Sequence, residues 1–213
     1  MRIGLILAIA LSTTIAQVQA AERGQQTEDT KHVRTWNQFA DKLLAMHNKI
    51  VDSRDLIKTT RVGGYRGKPD FYKEHSYHDA KTKKLVTRIQ REAKQPDLTH
   101  VLEVFLYDKK GRLARDYTVA YLPGFRNAPS QTLVTIYNYN GELKAFRNFD
   151  ANNETTYESC EGSWKGKRVD FSFEDYEIID LRKPSGIGSS PEYKACFGAI
   201  PLSAKKVLPP RFN

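Results

Sequence analysis

The chain has 213 residues, with 34 Lys and Arg against 25 Asp and Glu, a net charge of +9, and only two cysteines. That length suits a single domain. A mean hydropathy of -0.60, with no long apolar run after residue 20, excludes a multispanning helical membrane protein. Two cysteines are too few for a disulfide-scaffolded miniprotein, an all-cysteine zinc site or an iron–sulfur centre.

Residues 1–20 read as an export signal. Met1 and Arg2 make a positive start, and Ile3 to Ile15 is apolar apart from Gly4 and Ser12-Thr13-Thr14. Val18-Gln19-Ala20 puts small residues where a signal peptidase cuts. The apolar stretch falls short of the roughly 20 residues a spanning helix needs, so no membrane-spanning segment is expected after cleavage. The predicted location is the periplasm, with the extracellular space as the alternative. Residues 21–31 are expected to form a disordered leader and residues 32–213 one globular domain. Cleavage leaves 33 basic and 25 acidic side chains, a net +8. Export turns that charge away from nucleic acid and toward an acidic protein, an anionic polymer or an anionic lipid surface. The excess lies in the first half: Glu22 to Leu122 carries 21 basic and 14 acidic residues, and the remainder 12 and 11.

From Thr35 to Val51 apolar residues recur at Trp36, Phe39, Ala40, Leu43, Leu44, Ile50 and Val51, with His47 as a half-polar member. This is the spacing of one buried helical face. Thr35 and Gln38 are placed to form a capping box. After Leu56 the period changes to that of strands. Leu56 to Val62, Phe71 to His78, Leu85 to Glu92, Val101 to Tyr107 and Leu113 to Leu122 are rich in β-branched and aromatic residues. Leu133 to Tyr139, Leu143 to Phe149, Thr155 to Cys160 and Arg168 to Phe173 continue the series.

Short polar turns separate these runs and make neighbours antiparallel. Asn140-Gly141 predicts a type I′ turn. Asp79 to Lys84, Asp108 to Gly111, Asp150 to Glu154 and Lys165 to Lys167 read as further hairpin tips. Gly63 to Lys68 has the glycine and cation content of an anion-binding loop without phosphate-loop spacing, and reads as a flexible turn. Tyr107 to Leu113 resembles the tyrosine–aspartate repeats of large secreted toxins; turn chemistry alone accounts for those residues, and the resemblance carries no function.

The expected fold class is α+β. An N-terminal amphipathic helix packs on a curved antiparallel β-meander, a half-barrel or two-layer arrangement, with one disulfide. That shape is similar, in fold class only, to periplasmic lipoprotein carriers. In the tail, Ser190-Pro191-Glu192 marks a helix start. That turn brings Cys196 to Cys160, a pair expected to be bonded in an oxidising compartment.

No catalytic residue, metal ligand or cofactor is assigned. His75 and His78 are three apart on a strand and point to opposite sides. His47 sits on the apolar face of the helix. There is no Gly-x-Ser-x-Gly and no carboxylate pair of glycosidase type. Two surfaces remain. Tyr65, Arg66, Lys68, Tyr72 and Lys73, with Lys81, Lys83, Lys84 and Arg88 of the next hairpin, suggest a basic, ring-lined patch for an anion. Alternation from Phe71 puts Phe71, Lys73, His75 and Tyr77 on one face and Tyr72, Glu74 and Ser76 on the other. Phe125, Arg126 and Asn127, between prolines, form a candidate recognition loop. The expected function is that of an exported, non-catalytic binding protein for an anionic partner or ligand. The alternatives are a carrier of an apolar or lipid-like ligand, and an enzyme whose residues meet only in space.

Overall fold

The computed structural model describes residues 31–95, 98–122, 131–174, 177–178 and 186–205. The expected export signal, all of the expected leader except Lys31, and the loop bearing Phe125, Arg126 and Asn127 lie outside the described residues.

Helix α1, Lys31–Asp52, buries Val33, Thr35, Trp36, Phe39, Ala40, Leu43, Leu44, Met46 and His47. Its start corrects the expected cap. Thr35 lies inside the helix, and its hydroxyl donates to the Ala151 carbonyl at 3.1 Å rather than closing a capping box with Gln38. A tertiary acceptor has taken the hydroxyl that a local cap would have used.

The strands follow in chain order: β1 Leu56–Tyr65, β2 Lys68–Asp79, β3 Leu85–Gln95, β4 Leu98–Tyr107, β5 Leu113–Leu122, β6 Gln131–Asn140, β7 Leu143–Phe149, β8 Thr155–Trp164 and β9 Lys167–Glu174. They form one continuous nine-stranded antiparallel sheet in sequence order, open between β1 and β9. The tips explain the pairing. Asp79 Oδ1 accepts from the Lys81 and Thr82 amides at 3.1 and 2.7 Å. Asp108 and Asp150 cap their turns in the same way, from Lys110 and Arg112 and from Asn152 and Glu154. An aspartate whose side chain satisfies the turn amides sets the register of the hairpin it opens.

The Asn140-Gly141 turn differs from expectation by one residue. Asn140 pairs with Leu143, so the loop is Gly141-Glu142, with only Gly141 at positive φ, +63°. That is the type II′ pattern, which asks for glycine at its first central position. The type I′ pattern occurs at Lys165-Gly166, where φ is 50° and 75° between the paired Trp164 and Lys167. The glycine-rich stretch is largely strand: only Arg66-Gly67 turns, while Gly63 and Gly64 belong to β1. A Cβ at Gly63 would meet the Tyr72 hydroxyl, and one at Gly64 the Lys68 carbonyl.

Cross-strand partners share a face. One face carries Ile89, Leu102, Val104, Leu106, Tyr117, Val119, Val134, Ile136, Ala145, Phe149 and Cys160, which form one core cluster with Trp36, Phe39, Leu43 and Leu44 of α1. Helix α1 touches β3 to β6. Helix α2, Pro191–Phe197, touches β6, β7 and β8. Its cap is the expected one: Ser190 Oγ accepts from the Tyr193 amide at 3.1 Å, with Pro191 in the first turn. Cys196 of α2 is bonded to Cys160 of β8, with both side chains wholly buried.

Beneath α2 lies a buried ion pair. Arg147 Nε donates to Glu158 Oε1 at 2.6 Å, across the β7–β8 register, with exposures of 3% and 0%. Arg147 Nη1 donates to the Phe197 and Ile200 carbonyls, and the Tyr193 hydroxyl donates to Glu158 Oε2 at 2.5 Å. Burial, and then that pairing with Glu158, push the Tyr193 hydroxyl up to about 12.

Two stability measurements test this assembly. Closing a loop of 36 residues stabilises by about 3–4 kcal/mol in the chain-entropy model, so reduction should lower Tm by roughly 10 °C. An unchanged melting curve would mean that the bond contributes nothing. Glu158→Leu should cost about 3–5 kcal/mol in urea denaturation, because Arg147 is left charged in the core. Adding Arg147→Met should recover only part of that, since the Phe197 and Ile200 carbonyls then lose their donor.

Candidate functional site

Helix α1 starts against the β7–β8 loop, where Thr35 bonds Ala151, and ends against β2, where His47 packs edge-on to Tyr77 with ring centroids 5.1 Å apart. The helix-side face of β1 and of the Phe71 end of β2 extends past that end. Val62 is 54% exposed and Tyr65 58%, on the side that is buried two strands further on. The result is a shelf built by Lys58, Thr60 and Val62 of β1, Phe71, Lys73, His75 and Tyr77 of β2, and Arg91 of β3.

His75 is its centre. The Thr60 hydroxyl and His75 Nδ1 are 2.8 Å apart. Lys58 Nζ lies 5.8 Å from the Tyr77 ring, and Phe71 bridges Tyr65, at 5.4 Å, to His100, at 5.7 Å. Burial, and then the positive charges of Lys58, Arg91 and Lys73, lower the His75 pKa to about 4, and repulsion from His47 adds to this where both rings take a proton. His47 falls to about 4 as well, chiefly through burial, with its Asn48 hydrogen bond opposing and Arg91 and Lys58 adding to the shift. The charges that weigh most on His75 are thus all positive. The His75 imidazole, two ammonium groups, a guanidinium and two hydroxyls make a donor-rich surface, suited to an anion, with the buried His47 behind it.

Strand alternation has sorted the charges. Lys58, Lys73 and Arg91 face α1, whereas Glu74, Glu92, Glu103 and Asp116 share the opposite face. Asp79, at the end of β2, is the helix-side acid of these strands among the described residues, and its Oδ1 is engaged by its own turn.

Of the patch expected from the sequence, the shelf contains Lys73, with Tyr65 at its rim. Arg66 and Lys68 lie at the β1–β2 turn, and Lys81, Lys83 and Lys84 at the β2–β3 turn, the other end of a 12-residue strand. At the rise of an extended chain the two ends are roughly 36 Å apart. Tyr72 and Arg88 lie on the opposite face. There Tyr72 accepts from Arg61 Nη2 at 2.6 Å, and Arg88 pairs with Glu74 at 3.4 Å over the Phe105 ring. The alternation of Phe71, Lys73, His75 and Tyr77 holds in the register. Lys58, Thr60, Arg91 and His47 were missed as site residues; only the register of β1, β2 and β3 brings them to His75. A separate depression of about 440 Å³ lies near the far edge of the sheet, lined by Glu142, Lys144, Glu161, Arg168 and Asp170 among others. Its charges are mixed in sign.

The chain matches no family model, no curated protein and no solved structure.

The lowered histidines predict a pH dependence. Their folded pKa of about 4 lies below the ordinary 6.5, so the unfolded chain binds more protons in between. The stability they contribute is complete above pH 6.5 and is lost as the pH falls through about 4. His47→Gln should flatten that acid limb by up to about 3 kcal/mol when stability is followed by urea titration at several pH values. An unchanged limb would mean that His47 is charged at little cost in the folded protein.

Proposed function

We propose that this is an exported, non-catalytic binding protein that holds an anionic partner or ligand on the shelf of β1, β2 and β3. The observation that carries the reading is the convergence of Lys58, Lys73 and Arg91 on His75, with the strand carboxylates turned to the other face. Charge of one sign gathered on partly dry, ring-bearing surface raises the local concentration of the opposite charge and steers its approach. A buried disulfide supports the export part of the reading, since such bonds persist in oxidising compartments. So does the charged, hydroxyl-interrupted pattern of residues 1–20. In the same reading the sheet curls toward α1, as the twist of so many strands favours, and cradles the shelf beside the helix.

The carrier alternative draws less support. The large apolar side chains it would need, Trp36, Phe39, Leu43, Leu44, Leu102, Val119 and Ile136, are packed together as the core between α1 and the sheet. Among the described residues no helix is long and apolar enough to cross a membrane.

The test uses poly-glutamate as the probe, followed by fluorescence anisotropy over a salt series. Binding should weaken steeply as ionic strength rises past about 0.15 M. Lys58→Glu combined with Lys73→Glu should weaken it by roughly tenfold or more. Lys165→Glu with Lys167→Glu, at the far edge of the sheet, should leave it nearly unchanged. Salt-indifferent binding, or equal losses from the two pairs, would overturn the assignment. Phosphatidylglycerol vesicles and heparin in parallel arms distinguish a lipid surface and an anionic polymer from an acidic polypeptide.

A further inference from the structure

The sheet face turned away from both helices carries a second and opposite constellation. Asp116 of β5 lies directly across from Phe105 of β4 and Tyr137 of β6. Tyr107 and Tyr139 are its diagonal neighbours on the same face. The rings continue across the sheet: Tyr137 lies 6.3 Å from Tyr139 and 5.1 Å from Phe146, which lies 5.6 Å from Tyr157. Asp116 is only 5% exposed, yet among the described residues its Oδ1 has no hydrogen-bond partner. Beside it Glu103 accepts from the Thr118 hydroxyl at 3.1 Å.

The rings already hold cations at their flanks. The Arg88 guanidinium lies 4.0 Å from the Phe105 ring centre, and Lys144 Nζ lies 5.8 Å from that of Tyr137. Neither side chain gives Asp116 Oδ1 a hydrogen bond. A carboxylate sunk among aromatic faces is costly to ionise alone, and a cation seated over those faces offsets the cost.

We propose that this face binds a small quaternary ammonium compound over the rings of Tyr107, Tyr137 and Tyr139, with Asp116 beneath as its counter-charge. The class follows from the acceptors present. A primary ammonium seated over the rings turns N–H donors toward π faces that offer no oxygen: the tyrosine hydroxyls lie in the ring planes at their edges, and Asp116 Oδ1 is the unpartnered carboxylate oxygen between them. A methylated ammonium has no N–H to satisfy and is matched by ring faces and a charge.

Protonation gives the site a distinctive readout. Burial, and then the neighbouring Glu103, push Asp116 up to about 8, with Arg88, Thr118 and Lys144 opposing. Tyr107, Tyr137 and Tyr139 face the same carboxylate and are themselves raised, first by burial. A bound cation draws Asp116 down, so binding below pH 8 expels a proton and tightens as the pH rises toward that value.

Calorimetric titration of the full chain with tetramethylammonium chloride, in two buffers of different ionisation enthalpy, tests the proposal. Saturable binding with proton release is expected at neutral pH, weakened roughly tenfold, and with the proton release gone, in Asp116→Asn. That variant should fold. An aspartate whose folded pKa is raised contributes stability that is complete below pH 3.8 and lost as the pH climbs through about 8, so Asp116→Asn should melt higher than the native chain in alkaline buffer. Tyr137→Ala should weaken binding without abolishing proton release at saturation. Lys58→Glu with Lys73→Glu, on the other face, should leave the titration unchanged, which separates this site from the anionic one. The proposal is overturned by absence of saturation, by an Asp116→Asn titration identical to native, or by ammonium, sodium or a lysine-rich peptide binding as tightly as tetramethylammonium.

Discussion

The rest of the structure hangs on the pairing of Arg147 with Glu158. Two charges are taken out of water on adjacent strands, at a desolvation cost that their mutual attraction offsets only if every remaining donor and acceptor is satisfied. Those partners come from the C-terminal segment: the Phe197 and Ile200 carbonyls for Arg147, the Tyr193 hydroxyl for Glu158. The segment therefore has to lie across β7 and β8, where the Cys160–Cys196 bond ties it down. Arg115 shows the contrast. It is as deeply buried, yet while its Nη2 donates to the Ala199 carbonyl at 2.9 Å, its Nε and Nη1 have no hydrogen-bond partner among the described residues. Burial lowers its pKa accordingly.

Division of the helix-side face follows from that anchoring. With α2 on β6 to β8 and α1 on β3 to β6, the helix-side face of β1 and of the Phe71 end of β2 extends beyond both. A solvated strand face tolerates lysines, and β1 has Lys58 and β2 Lys73 there without the apolar partners that Ile89 and Leu102 find further along. The same alternation sends Glu74, Glu92, Glu103 and Asp116 to the opposite face. A sheet whose composition is moderately basic thus becomes one face on which Lys58, Lys73 and Arg91 gather and another on which carboxylates stand among cations such as Arg61 and Arg88. The net charge of the first half describes neither of them.

Much of this was legible in the residues. The apolar spacing of Trp36, Phe39, Leu43 and Leu44 is that of a helix wherever it packs, because a period of 3.6 fits no strand. β-Branched and aromatic runs between aspartate- and glycine-headed turns give antiparallel neighbours, since such loops are too short for anything else. Thr35 and Asn140-Gly141 show the limit of local reasoning. Each carries a sound local signal, a cap and a turn, and each was overruled by one competing bond or a one-residue shift in pairing.

The sequence by itself determined the order of helix and strands, the pairing of its only two cysteines and the faces on which Phe71, Lys73, His75 and Tyr77 and their neighbours stand, because alternation and turn chemistry act over a few residues. Tertiary structure alone decided which faces are covered and what stands beside what. Lys58, His75 and Arg91 are 17 and 16 residues apart in the chain and diagonal neighbours in the register. Phe105, Asp116 and Tyr137 meet directly across the register on the other face. Lys73 and Lys83, close in sequence, are carried apart along an extended strand and around its turn. Proximity in a sheet is set perpendicular to the chain, by hydrogen bonds whose register depends on every turn and bulge before them, and composition does not encode that direction.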